Sequence, residues 1–206
     1  MNVFVLCTGR CGSHTFIQAC RHITNYTAGH EIRSRFLGDE RLNYPANHIE
    51  ADNRLAWFLG RLDATYGDEA FYVHLTRDRL RNGASLGRYM HMGILKAYTD
   101  GILMRSSYQN DPLEFGLDFY DNVNMNILLF LKDKSHTMDF TLENAAEDFR
   151  IFWERIGAQG DLDAALGEWT RTYNKSKANI FENINERLRK LRRSFKKPFE
   201  KDSPTR

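Results

Sequence analysis

At 206 residues the chain is long enough for one domain with a real core, and its 42% hydrophobic and 13% aromatic content is that of a globular protein. A net charge of +2 is set by 29 basic and 27 acidic side chains, and the three cysteines exclude a disulfide scaffold or a structural zinc site and point to free thiols in a reducing compartment. No apolar run approaches the ~18 residues of a membrane span, and the first apolar run is too short and lacks the basic start of a signal peptide, so the expected location is cytoplasmic.

Val3 to Cys7 is a short, continuous apolar run rich in β-branched residues, as for a strand buried on both faces. Thr8, Gly9, Arg10, Cys11, Gly12 and Ser13 follow, and then a helical pattern with Phe16, Ile17, Cys20 and Ile23 on one side. A strand, a glycine-bearing loop and a helix N-terminus make an anion site: the glycines bring backbone N–H groups close, the helix dipole adds positive character, and Arg10 forks onto oxygens. It is not a Walker A loop, because Gly12 is followed by Ser13 and His14 rather than Lys. Nor is it a phosphatase loop: Cys7 and Cys11 have Ser13 and Ile17 where an Arg would stand.

Asn25 to His30 reads as a short second strand, leading into Glu31 and Ile32. Residues 33 to 51, with Arg33, Arg35 and Tyr44-Pro45, read as an irregular loop suited to forming one wall of an acceptor site. Asp52 is placed to cap a helix whose apolar side holds Leu55, Trp57, Phe58, Leu59 and Leu62. After the turn at Gly67-Asp68, Ala70 to Thr76 is a strong strand that ends in Arg77-Asp78, with Ser85 eight residues beyond Arg77. An Arg at a strand's carboxyl end followed by a Ser two turns into the next helix suits a phosphate.

A wet helix is expected from Arg79 to about Tyr98, and a core helix from Asp111-Pro112 to about Lys132. Thr137 to Phe140 reads as a fourth strand, Asn144 to Ile156 as a helix stopped by Gly157, and Asp161 as the cap of a short helix ending near Trp169. Arg171 to Lys177 is polar and basic. From Ile180 to Phe199 an amphipathic pattern carries Arg187, Arg189, Lys190, Arg192, Arg193, Lys196 and Lys197, a face for its own domain, a partner or an anionic membrane surface. No nucleic-acid recognition motif accompanies that charge.

Arg10-Cys11-Gly12-Ser13 resembles the 5′-phosphosulfate loop of the sulfotransferases that use 3′-phosphoadenosine 5′-phosphosulfate (PAPS), which reads basic–small–Gly–Ser/Thr–Thr after the first strand. Arg77-Asp78 with Ser85 resembles that family's 3′-phosphate motif, and Glu31 stands where several branches carry a catalytic Glu. With the strand–helix alternation, the resemblance implies an α/β fold: a three-layer, P-loop-like domain over residues 1–178 with a mostly parallel central sheet flanked by helices, then a basic helix and tail over 179–206. It implies sulfuryl transfer from PAPS to a hydroxyl or amine of a small-molecule or glycan acceptor, without a metal. Gly9, Arg10, Cys11, Gly12, Ser13, His14 and Thr15 would hold the 5′ end of the cofactor and Arg77 and Ser85 its 3′-phosphate, with Asn174, Lys175 and Ser176 closing over it. Glu31 would be the base, with His30 beside it as the alternative, and Arg10 and His14 would act on the transferred group. Two departures stand out: His14 replaces the usual Thr, and Arg79 follows Arg-Asp where Pro is frequent. A non-catalytic adenosine-phosphate-binding protein and a P-loop kinase or NTPase are the alternatives.

Overall fold

Side chains alternate across a strand, so the apolar run after Met1 must be buried on both faces. In the computed structural model, which describes residues 1–104 and 111–171, it is. Strand β1 (Val3–Leu6) is fully buried at the centre of a five-stranded sheet with β2 (Thr27–His30), β3 (His48–Ala51), β4 (Phe71–Thr76) and β5 (Thr137–Thr141), in the order β2-β3-β1-β4-β5. Every pairing is parallel. Val3 and Val5 face one layer, with Phe16 and Ile17 of α1 (Ser13–Cys20) and Phe149 and Phe152 of α6 (Ala145–Arg155). Short α7 (Leu162–Gly167) joins that layer through Ala165. Phe4 and Leu6 face the other layer, with Leu62 of α2 (Leu59–Tyr66), Leu86 of α3 (Arg79–Gly87), Leu95 of α4 (Gly93–Ala97) and Phe119, Val123 and Ile127 of α5 (Pro112–Leu131). Each fully buried Phe or Leu contributes about 1.5–3 kcal/mol. The expected three-layer α/β architecture is therefore the observed one.

Three expectations need correction. The segment 33–51 is not all loop, because His48–Ala51 forms β3 between β2 and β1, and Thr137–Thr141 is consequently the fifth strand rather than the fourth. Sequence hides β3 because His48 and Glu50 carry polar groups. Both are buried, and they satisfy each other at 3.0 Å, with Nδ1 of His48 2.7 Å from the Thr27 hydroxyl. Asp52 does cap, but it accepts the Arg54 N–H at the start of a 3₁₀ turn (Asn53–Trp57), and the α-helix begins only at Leu59. The long helix expected from Arg79 ends at Gly87; Gly93, at φ +53°, opens the separate short helix α4, which leads into a π turn (Tyr98–Ile102).

Helices α3 and α5 pack backbone to backbone. A Cβ on Gly116 would lie 1.9 Å from the carbonyl oxygen of Gly83, so only glycine permits this approach. Among the described residues no helix is long and apolar enough to cross a membrane. Asn174, Lys175, Ser176 and the basic segment 179–206 lie outside the described residues.

Candidate functional site

The sheet order puts the loop after β1 at the centre of the carboxyl edge, with the end of β4 on one side and the ends of β3 and β2 on the other. Ligands of parallel α/β sheets bind at such an edge. The loop is held in an unusual shape: Gly9, Arg10 and Gly12 have φ of +81°, +59° and +99°. For Arg10 the left-handed conformation costs roughly 1–2 kcal/mol, which the surroundings offset. Asn82 on α3, fully buried, donates to the Gly9 carbonyl (3.3 Å) and sits 3.4 Å from the Thr8 hydroxyl. Gly9 is also pinned from the 3₁₀ turn after β3, since a Cβ there would meet the Asn53 side chain at 2.7 Å. Helix α1 starts at Ser13 with no side-chain cap and no acidic residue in its first turn. Its first N–H groups are thus available to an anion.

The two arginine-bearing motifs meet. Arg10 donates from Nε to the Ser85 hydroxyl (3.3 Å) and from Nη2 to the Tyr89 hydroxyl (3.4 Å), and its guanidinium lies over the Tyr89 ring. Arg77, at the end of β4, donates from Nη1 to the Arg10 carbonyl (3.3 Å), while the Tyr120 hydroxyl donates to the Arg77 carbonyl (3.1 Å). The Nε of Arg77 is buried without a hydrogen-bond partner, and burial pushes its pKa down. An Arg still holds its proton under these conditions. What remains is a desolvated cation with an unused donor, costly unless an anion completes it. Neighbouring Asp78 instead gives its N–H to the Glu143 carboxylate (3.1 Å).

On the other side of the loop, Ser13 Oγ lies 3.1 Å from Nε2 of His30. Burial lowers the His30 pKa, partly opposed by Glu31, with His14 lowering it further. Glu31, at φ +57°, is held by Arg54 (2.7 Å). Behind Arg54 stands buried Asp52, itself paired to buried Arg41 at 2.6 Å. Glu50 accepts the Ile32 N–H (2.9 Å) and so fixes the turn that carries His30 and Glu31. His14 is exposed on the first turn of α1, with its ring centre 5.7 Å from that of His30 and Gln18 beside it (3.3 Å). Thr15 is half-buried on the same turn.

Cys11 is fully buried rather than reaching into the site. Its thiol is hydrogen-bonded to that of Cys7, which pulls the Cys11 pKa down and pushes the Cys7 pKa up.

The structure thus brings together Gly9, Arg10, Gly12, Ser13, Arg77 and Ser85 on one side and His14, His30 and Glu31 on the other. Sequence reasoning missed Asn82, Tyr89 and Arg54. The first two lie about one helical turn before and after Ser85, a spacing that could have marked them; Arg54 carried no signal.

No protein-family model matches the chain, and no curated protein matches it in sequence. Among solved structures it is similar to the sulfotransferase domain from the curacin biosynthetic pathway, with a TM-score of 0.55 and 12% identity over 84% of this chain and 78% of that one. At that identity the likeness shows the fold.

Proposed function

We propose that the protein is a sulfotransferase that binds PAPS at the carboxyl edge of the sheet and transfers its sulfuryl group to an acceptor hydroxyl or amine. The observation that carries this reading is Arg77: a half-buried guanidinium with an unpartnered Nε, one hydrogen bond from the backbone of the loop after β1. The residues fit a ligand with two anionic ends. Arg77 and Ser85 would hold a 3′-phosphate; Arg10, Ser13 and the N–H groups at the start of α1 would hold the 5′ end, with His14 and Thr15 at its rim. When bound, the cofactor supplies an activated sulfuryl group on a phosphate leaving group.

The protein's task is positioning and charge. Arg10, moved off Ser85 and Tyr89, and the uncapped α1 N–H groups would stabilise negative charge at the 5′-phosphate end of the bound cofactor. On the opposite side a base would take the proton of the acceptor hydroxyl or amine, a contribution of typically ~10²–10⁴-fold. Glu31 is that base in the family's pattern. A second reading favours His30, because burial keeps its imidazole neutral and its Nε2 already lies 3.1 Å from Ser13, whereas the Glu31 carboxylate is held by Arg54. Turnover of Glu31→Gln and His30→Gln decides between them: the base variant keeps cofactor affinity and loses turnover, and the other keeps both within about tenfold.

A non-catalytic adenosine-phosphate-binding role draws on one observation, His14 at the position where the resembling family has Thr. Cofactor binding with no sulfuryl transfer to any of a panel of phenol, sugar and amine acceptors would favour it.

A further inference from the structure

Strand β5 ends the sheet, and its outer edge is closed at both ends but not in the middle. In its parallel ladder with β4, the His136 carbonyl accepts from Tyr72, so alternate residues from His136 onward face β4 and Thr137, Asp139 and Thr141 face outward. The Thr137 carbonyl accepts from Nη1 of Arg155 (2.6 Å), and the Thr141 N–H donates to Asp148 (2.7 Å). Such side-chain caps are how edge strands are usually guarded against pairing. Between them the backbone of Asp139 borders a groove of about 490 Å³, lined by Leu128, Leu131 and Lys132 from α5 and by Asp148, Ile151 and Arg155 from α6. Next to it Met125, Leu128 and Leu129, at positions i, i+3 and i+4, are 69%, 53% and 71% exposed, and Ile151 is 42% exposed. A contiguous apolar stripe beside an open strand edge marks an interaction surface.

We propose that this face binds a second copy of the chain, the two β5 edges pairing antiparallel about a two-fold axis at Asp139. Charge selects this occupant. The groove is basic at the Thr137 end, with Arg155 and Lys132, and acidic at the Thr141 end, with Asp148. A two-fold axis midway brings each end against its opposite: the caps open on pairing, the Thr137 carbonyl accepts the N–H of the partner's Thr141, and Arg155 turns to the partner's Asp148, twice, so the surface is self-complementary as a two-fold interface must be. The outward N–H and C=O of Asp139 exchange two hydrogen bonds with the partner's Asp139. The chain's own basic segment suits the groove less well: residues 187–201 hold eight Lys or Arg against Glu200 alone, which would meet Arg155 and Lys132 as like charges. One element opposes pairing, because the two Asp139 carboxylates come side by side.

None of the residues lining this surface is among those proposed to hold the cofactor, so this inference is independent of the sulfotransferase reading. Sedimentation velocity on the full chain, up to the ~100 μM range where weak dimers assemble, tests it. The wild type should dimerise. Leu129→Lys, a change at an exposed position, should raise the dimer Kd about 30-fold or more. Arg155→Glu should do likewise, Arg155→Glu with Asp148→Lys should restore association, and Asp139→Asn should tighten it. Adenosine bisphosphate binding, measured on each variant, should stay unchanged. A wild type that is monomeric throughout, or a dimer indifferent to both Leu129→Lys and Arg155→Glu, overturns the proposal.

Discussion

Arg77 and His30 are both partly desolvated, with opposite consequences. Arg77 keeps its charge and lacks a partner for Nε, so it gains from an anion more than a solvated Arg could. Arg77→Lys keeps the charge but loses the fork, and its affinity for a 3′-phosphate should fall by about tenfold or more in a titration, with Arg77→Ala falling further. His30 is held neutral by burial. An unfolded imidazole titrates near ~6.5 and the folded one lower, so between those values the unfolded chain binds the extra proton. His30 therefore contributes no penalty above the unfolded pKa and destabilises the fold progressively as pH falls through that window. His30→Gln should flatten this part of the stability-versus-pH curve measured by urea unfolding; an unchanged curve would show that His30 does not set it. If His30 is the base, the acid limb of turnover lies below the ordinary histidine range. At this scale the sequence was legible where spacing carries chemistry. Arg10, Ser13, Arg77 and Ser85 sit at fixed offsets from strand ends, and the structure gathers them. Asn82 and Tyr89 carried only their helical spacing from Ser85 as a signal, and Arg54 carried none, because their places come from packing between elements.

The element that escaped sequence reading, β3, is also the one that leads into Asp52 and Arg54, which hold Glu31. The run His48–Ala51 alternates polar and apolar over only four residues, and all four are buried, the polar ones through pairs: His48 with Glu50 and Thr27, and Asp52 just beyond the strand with Arg41. A pattern of four residues cannot reveal such pairing, whereas β1 announces itself as a continuous apolar run and β4 as a longer run rich in apolar and aromatic residues. Removing one member of a buried ion pair strands the other, so Asp52→Ala should cost about 3–5 kcal/mol in denaturant unfolding. It should also release Arg54 and with it Glu31. The loop after β1 depends likewise on α3. Asn82→Ala removes the donor to the Gly9 carbonyl, and a loss of about 1–3 kcal/mol is expected, with weaker anion binding because the loop is no longer held. The contact of α3 with α5 sets where Asn82 and Ser85 stand, and Gly116→Ala should disturb it, since its Cβ would lie 1.9 Å from the Gly83 carbonyl. The end of the helix expected from Arg79 was missed for a local reason: Gly93 takes a positive φ that no helix interior allows.

Across the described residues, the parallel sheet sets two groups of side chains around one loop. With the order β2-β3-β1-β4-β5, the end of β4 and helix α3 lie on one side of the β1 loop, and the ends of β2 and β3 lie on the other. Arg77 and Ser85 fall on the first side and His30 and Glu31 on the second, an arrangement that would suit the proposed in-line transfer between a bound donor and an acceptor. The far edge, β5, carries none of these groups and is the surface proposed for self-association. The most direct test of the central claim is calorimetric titration of the full chain with 3′,5′-adenosine bisphosphate, without metal, beside ATP with Mg²⁺, on wild type and Arg77→Ala. The bisphosphate should bind in the micromolar range, with binding lost or greatly weakened in Arg77→Ala, and ATP–Mg²⁺ should bind far less tightly. Tight binding of ATP–Mg²⁺ with no response to the bisphosphate would contradict it and assign the β1 loop to a nucleoside triphosphate instead.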